Sequence, residues 1–182
     1  MKKMSSLVVV LGLLLSGCGG NEEATSKPKT CEEVDPCKTA LKYVTFENQG
    51  ANDKLYTLEL DGEKGRSFGS LQEAKDSIPE DYESVKDKKI EKYAILEYEV
   101  ITGKEFTYKI EFKDLRTNEN EATNVKVVKQ DGQYLVENYY RFVGKSDVEK
   151  SNGEVSPPTK YYSKGLSQAE KDELEPEPVE IN

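Results

Sequence analysis

From residue 90 onward, apolar and polar positions alternate with a period of two. Ala94, Leu96, Tyr98 and Val100 alternate with Ile95, Glu97, Glu99 and Ile101. After Thr102-Gly103-Lys104, the residues Phe106, Tyr108, Ile110 and Phe112 alternate with Thr107, Lys109, Glu111 and Lys113. A third run over residues 122–129 centres on Val125, Val127 and Val128. Asp131-Gly132 then leads into Tyr134-Leu135-Val136 and a fourth run reaching Val143. Successive strand side chains point to opposite faces, and Asp-Gly suits the positive φ angles of a two-residue hairpin. The pattern predicts four antiparallel strands with one apolar, covered face and one wet face. Glu97 and Glu99, opposite in phase to Tyr98, are expected on the wet side.

Before residue 90 the spacing is helical. Asp35-Pro36 reads as an N-cap followed by proline at the first helical position, and Ala40, Leu41 and Val44 share one face of a helix ending near Gly50. Asn52-Asp53 can cap a short element carrying Leu55, Tyr56, Leu58 and Leu60, whose spacing suits either a strand or a helix. Residues 61–65 (DGEKG) read as a loop. Ser70-Leu71-Gln72-Glu73 is a capping-box pattern that opens a helix stopped by Pro79, with Leu71, Ala74 and Ile78 as its buried stripe. The predicted class is α+β, with N-terminal helices packed on a four-stranded antiparallel meander. After Gly144 the periodicity dissolves among Ser151-Asn152-Gly153, Pro157-Pro158 and a run of acids, with Tyr161-Tyr162 the last aromatic pair. Residues 145–182 are therefore expected to form an acidic, mostly disordered tail.

The first residues obey a different logic. Lys2 and Lys3 precede an apolar run over residues 7–15, and Leu15-Ser16-Gly17-Cys18 follows directly. As a helix that run would rise only ~13–14 Å, well short of a bilayer's ~30 Å hydrocarbon core. It has the layout of a secretory signal. The tetrapeptide resembles the lipobox of bacterial lipoproteins, which implies cleavage before Cys18 and acylation of its thiol. Residues 1–17 are then a signal peptide, and residues 18–36 a lipidated cysteine and flexible tether. The expected location is the extracytoplasmic face of the cell membrane, held by lipid rather than by a span.

Cys31 and Cys37 are candidates for a disulfide, two nearby thiols in an oxidising compartment. On one continuous helix their Cα atoms would lie ~9 Å apart, beyond the ~7 Å reach of a bridge. Bridging therefore requires a bend between them, which Asp35-Pro36 can supply. Two free thiols and a redox centre remain alternatives, although the spacing is not C-x-x-C.

Composition narrows the chemistry. The 182-residue chain carries a net charge of −9, with no His and no Trp. Without His, the Ser-His and Cys-His catalytic pairs and His-containing zinc sites are excluded, and no calcium-binding loop pattern occurs. No catalytic residue, metal ligand or cofactor is singled out. An acidic surface repels nucleic acid and anionic lipid headgroups, so neither is expected as a partner, and membrane contact is expected through the lipid anchor.

The stretch VKVVKQDGQYLVENYYRF (residues 125–142), with paired valines, an Asp-Gly turn and an alternating aromatic strand, follows the helices and earlier strands in order. Over residues 37–144 the chain resembles the cone-shaped nuclear-transport-factor-2-like superfamily, with a cystatin-like helix-on-sheet fold as rival. The resemblance implies a curved sheet and helices around a cavity, used by some members for catalysis and by many for binding. Tyr98, Tyr108, Tyr134, Tyr139 and Tyr140 are then candidate ligand-facing residues, with an apolar ring and a hydroxyl handle. Their competing role is cross-strand packing. The expected function is a non-enzymatic binding or protein-interaction module whose partner is an envelope protein or small apolar ligand. The alternative is a cone-fold enzyme using carboxylate and Tyr residues.

Overall fold

The computed structural model describes residues 30–140 and 142–181, without the side chains of 138–140. Cys18, the signal segment and most of the tether lie outside the described residues. Ordered packing begins earlier than the tether expectation placed it: Cys31–Glu33 form a 3-10 turn, and Cys31 is completely buried. The Thr30 amide donates to Glu33 Oε2 (2.8 Å), and Cys31 is disulfide-bonded to Cys37 with their Cα atoms 5.1 Å apart. The bend falls at Val34, before α1 (Asp35–Gln49), so Val34 rather than Asp35 is the N-cap and Pro36 sits in the first turn.

Helix α1 buries Cys37, Ala40, Leu41 and Val44 against the sheet, the i, i+3, i+4, i+7 spacing of one helical stripe. Gly50 ends it in the left-handed region at φ 75°. A Cβ there would lie 2.5 Å from Pro79 Cγ, whereas Gly132, also at positive φ, faces open space. Gly50→Ala is thus expected to destabilise by about 2–4 kcal/mol, from backbone strain plus the clash. Gly132→Ala should cost about 1–2 kcal/mol from strain alone. Urea denaturation of both variants checks this, and equal losses would contradict it.

Three short helices follow: α2 (Asn52–Leu58), α3 (Asp61–Ser67) and α4 (Leu71–Asp76). The ambiguous element after Asn52 is a helix, and the expected loop at 61–65 is one as well. Ser70 Oγ caps α4 by accepting from the Glu73 amide, but only Ala74 of the expected stripe is buried. Leu71 is 37% exposed.

The sheet has five antiparallel strands rather than four, in the order β4-β3-β2-β1-β5. They are β1 (Tyr93–Ile101), β2 (Glu105–Lys113), β3 (Asn120–Gln130), β4 (Gln133–Tyr140) and β5 (Thr159–Tyr162). Asp131 and Gly132 close the β3–β4 hairpin with φ of 51° and 84°, as a mirror-image two-residue turn requires. The fifth strand comes from the segment expected to be disordered. That segment also supplies α5 (Lys145–Val148) and α6 (Gln168–Leu174). β5 pairs with β1, so β1 is interior to the sheet.

Both faces of the sheet are covered. On the helix side, Tyr93, Ile95, Phe106, Ile110, Val127 and Val136 pack with α1. On the other side, Leu96, Tyr98, Val143 and Val148 form a second cluster, with Val155 and Val179 against it. The face expected to be wet on β2, that of Thr107 and Lys109, is thus partly covered by the chain's own C-terminal part. The phase expected of β1 is reversed, since Leu96 and Tyr98 lie on this face and Glu97 on the helix side.

Candidate functional site

The antiparallel register sets Glu97 opposite Tyr108 and Ile95 opposite Ile110, so these side chains share the helix-facing side. Glu97 is only 7% exposed, which corrects its expected solvent position. Its carboxylate accepts from Tyr108 Oη at Oε2 (2.7 Å) and from Tyr161 Oη at Oε1 (3.1 Å). Burial raises the Glu97 carboxyl above the usual range, opposed by the two tyrosine hydrogen bonds. The same burial, together with Glu97 itself, raises both tyrosine hydroxyls. Glu97 was expected in solvent because it is opposite in phase to Tyr98, which was placed on the covered face. The Tyr161 partner that admits it lies 64 residues on.

The candidate tyrosines do not converge. Tyr108 and Tyr134 belong to the helix-facing side, where Tyr134 meets Phe106 edge-on at 6.0 Å. Tyr98 faces the other way, and its hydroxyl accepts from the Val179 amide (2.9 Å). The backbones of Tyr139 and Tyr140 pair with Val125 and Asn124, and their side chains lie outside the described ones. Tyr98, Tyr108 and Tyr134 are packing residues in this arrangement rather than the wall of one pocket.

A second buried carboxylate, Glu59, is held by its backbone beside β4 through Val136. Tyr43 Oη and Ser67 Oγ both donate to Glu59 Oε1 at 2.9 Å, whereas the buried Oε2 has no partner. It borders a recess of about 40 Å³ that Arg66 and Glu63 also line.

A cleft with both apolar and charged lining lies elsewhere, between α1 and residues 86–90. This cleft of about 460 Å³ has Leu41, Phe46 and Ile90 among its apolar lining. Its lysines are Lys38, Lys42, Lys86, Lys88 and Lys89, against only two acids, Glu32 and Asp87. Helical spacing sets Lys38, Lys42 and Phe46 along one side of α1, and Lys42 Nζ sits 5.5 Å from the Phe46 ring centroid. Gln49, buried at the end of α1, fixes the opposite wall: its Nε2 donates to Lys86 O (3.1 Å) and Lys88 O (2.6 Å). Gln49 Oε1 is buried without a partner. Lys86 pairs with Glu83 (2.5 Å) and Lys88 donates to Leu115 O (3.2 Å). Lys38, Lys42 and Lys89 have no ion-pair partner among the described residues. A volume in the ordinary ligand range, an apolar floor and unneutralised lysines suit an anionic molecule with an apolar part.

Sequence reading missed this cleft. Its signals were the run KDKKIEK (residues 86–92) around one apolar residue, and the Lys38, Lys42 and Phe46 spacing. Nothing local joins the two.

Among the described residues no group of His, Cys, Asp or Glu could hold a metal ion, and no helix is long and apolar enough to cross a membrane. No protein-family model, curated protein or solved structure matches this chain.

Proposed function

We propose that this chain is a membrane-anchored, extracytoplasmic lipoprotein whose folded part is a non-enzymatic binding module. Its binding surface is the lysine-rimmed cleft beside α1. The observation that carries this reading is the cleft's placement: Glu32 lines it, one residue beyond the disulfide-held Cys31, where the chain arrives from Cys18 and the tether. An anchor at Cys18 would keep that surface close to the membrane. The helices-then-meander order is also that of the nuclear-transport-factor-2-like cone, and within that frame the module binds at its outer helix rather than inside the sheet.

Anchoring has a direct test. Cys18→Ala is expected to abolish incorporation of labelled fatty acid and to leave the signal uncleaved at this site. Unchanged labelling would overturn the anchor.

The enzyme reading draws on one observation, the Glu97 carboxylate 2.7 Å from the Tyr108 hydroxyl. Against it, both carboxylate oxygens are already engaged and all three side chains are buried. A general base must reach the proton it takes from substrate.

A further inference from the structure

We propose that the cleft between α1 and residues 86–90 binds the headgroup of an anionic phospholipid, so that the domain docks on the membrane that anchors it. This rests on the anchored-lipoprotein reading. Three observations on separate parts of the structure support it.

The first is charge segregation. The whole chain is net −9, yet the cleft gathers five lysines and two acids. Average charge pointed away from anionic lipid, but binding depends on the local field. Lys38, Lys42 and Lys89 form no ion pair among the described residues, so their charge is available to an external anion.

The second is the pairing of that charge with apolar surface. Leu41, Phe46 and Ile90 line the same cleft as the lysines. A phosphodiester would meet the ammonium groups, while the glycerol and first acyl carbons would lie on Phe46 and Ile90. A free anion would use the lysines and leave the apolar floor uncovered.

The third is reach. Glu32, one residue beyond the disulfide-bonded Cys31, lines the cleft, and Cys18 precedes it by fourteen residues. A tether of the composition expected there would span about 20 Å. Lysines near an anionic surface contribute about 1 kcal/mol each, falling off within a Debye length of ~8–10 Å. Such a tether would bring the cleft within reach of the headgroups.

The test uses the full lipidated chain in nanodiscs of phosphatidylcholine, with or without phosphatidylglycerol. A photoreactive phenylalanine analogue replaces Phe46 or, as control, Phe142, which is 79% exposed and does not line the cleft. Lipid adducts are expected at position 46 in phosphatidylglycerol discs, with few in phosphatidylcholine and few at position 142. The combined substitution Lys38→Gln, Lys42→Gln and Lys89→Gln should weaken docking roughly a hundredfold while the chain stays in the disc. Equal adducts in both lipids or at both positions would overturn the proposal, as would indifference to the lysine substitutions. Complete displacement by millimolar inorganic phosphate, or adduct loss only on adding an acidic polypeptide, would also overturn it, reassigning the cleft to a free anion or a protein. If the anchoring reading itself fails, the chain will not stay in the discs at all, an outcome distinct from a disc-bound chain without adducts.

Discussion

Glu97→Ala is expected to lower folding stability by about 2–5 kcal/mol, because two buried tyrosine hydroxyls lose their acceptor at about 1–3 kcal/mol each. Tyr108 and Tyr161 donate to opposite oxygens of that carboxylate, so one substitution strips both. It would also loosen β5, which reaches β1 at this point through the Glu97–Thr159 register. Glu97→Gln keeps one acceptor oxygen and should cost much less. The two variants also separate by pH. Burial, with Glu99 acting in the same sense, raises the folded-state Glu97 carboxyl above its unfolded value. The folded state therefore holds this proton more tightly than the unfolded chain. The Glu97 contribution is fully present below about pH 4.3, the ordinary Glu value, and is lost as pH rises through the folded-state value. Urea midpoints should accordingly move in favour of Glu97→Gln, relative to the parent chain, as pH rises from that point. Asp114 acts in the opposite sense: burial pushes it up, but the Thr117 and Arg116 amides and Asn48 hold its carboxyl down at about 2. Its contribution is present above about pH 3.9 and lost as pH falls toward 2, equally in both proteins. A parallel pH course for parent and Glu97→Gln would contradict the buried carboxylate.

Deletion of residues 164–182 is expected to be comparably damaging, by about 3–5 kcal/mol, since it uncovers a sheet face and removes two packed aliphatic side chains. Leu174 is fully buried, and Val179 packs against the cluster of Leu96 and Tyr98. Lysines on and beside the sheet clasp acids of this segment: Lys92 to Glu170 at 2.6 Å, Lys113 to Glu173 at 2.8 Å, and Lys160 to Glu175. These lysines hold the three carboxyls below their ordinary range, Glu170 at about 2 with help from Ser167. Their support for the docked segment is present above the unfolded carboxylate value and is lost as pH falls toward 2. Being exposed, the pairs also weaken with salt. A thermal melt and the binding of an apolar dye report the deletion. An unchanged melt with no new dye binding would mean the segment does not cover the sheet.

Strands β1–β4 and the cap of α4 were legible in the sequence because their signals are local, whereas the caps expected at Asp35 and Asn52 fall one residue earlier, at Val34 and Ala51. Phe106, Tyr108, Ile110 and Phe112 show their period of two within one strand, Asp131-Gly132 its turn chemistry, and Ser70 with Glu73 its cap. β5 was not legible. Residues 145–181 bury Val148, Tyr161 and Leu174 without helical or strand periodicity, so composition alone suggests disorder. Their order comes from pairing with β1 and from Lys92, just before β1, and Lys113 on β2. Glu97 was misplaced for a related reason: alternation within β1 leaves open which phase is covered, and the register against β2 sets Glu97, not Tyr98, beside Tyr108. The cleft required the same non-local information. Lys38 and Lys42 stand more than forty residues before Lys86, Lys88 and Lys89, and Gln49 joins them through the 86–88 backbone.

That the outer cleft, and not the space between helices and sheet, meets the ligand can be tested by amide hydrogen exchange of the full lipidated chain. Exchange would be compared between native membranes and neutral detergent. Slower exchange on membranes is expected over residues 38–49 and 86–90, with β2 and β3 unchanged. Protection confined to the strands around Tyr108 and Tyr134, with none along α1 or residues 86–90, would contradict it.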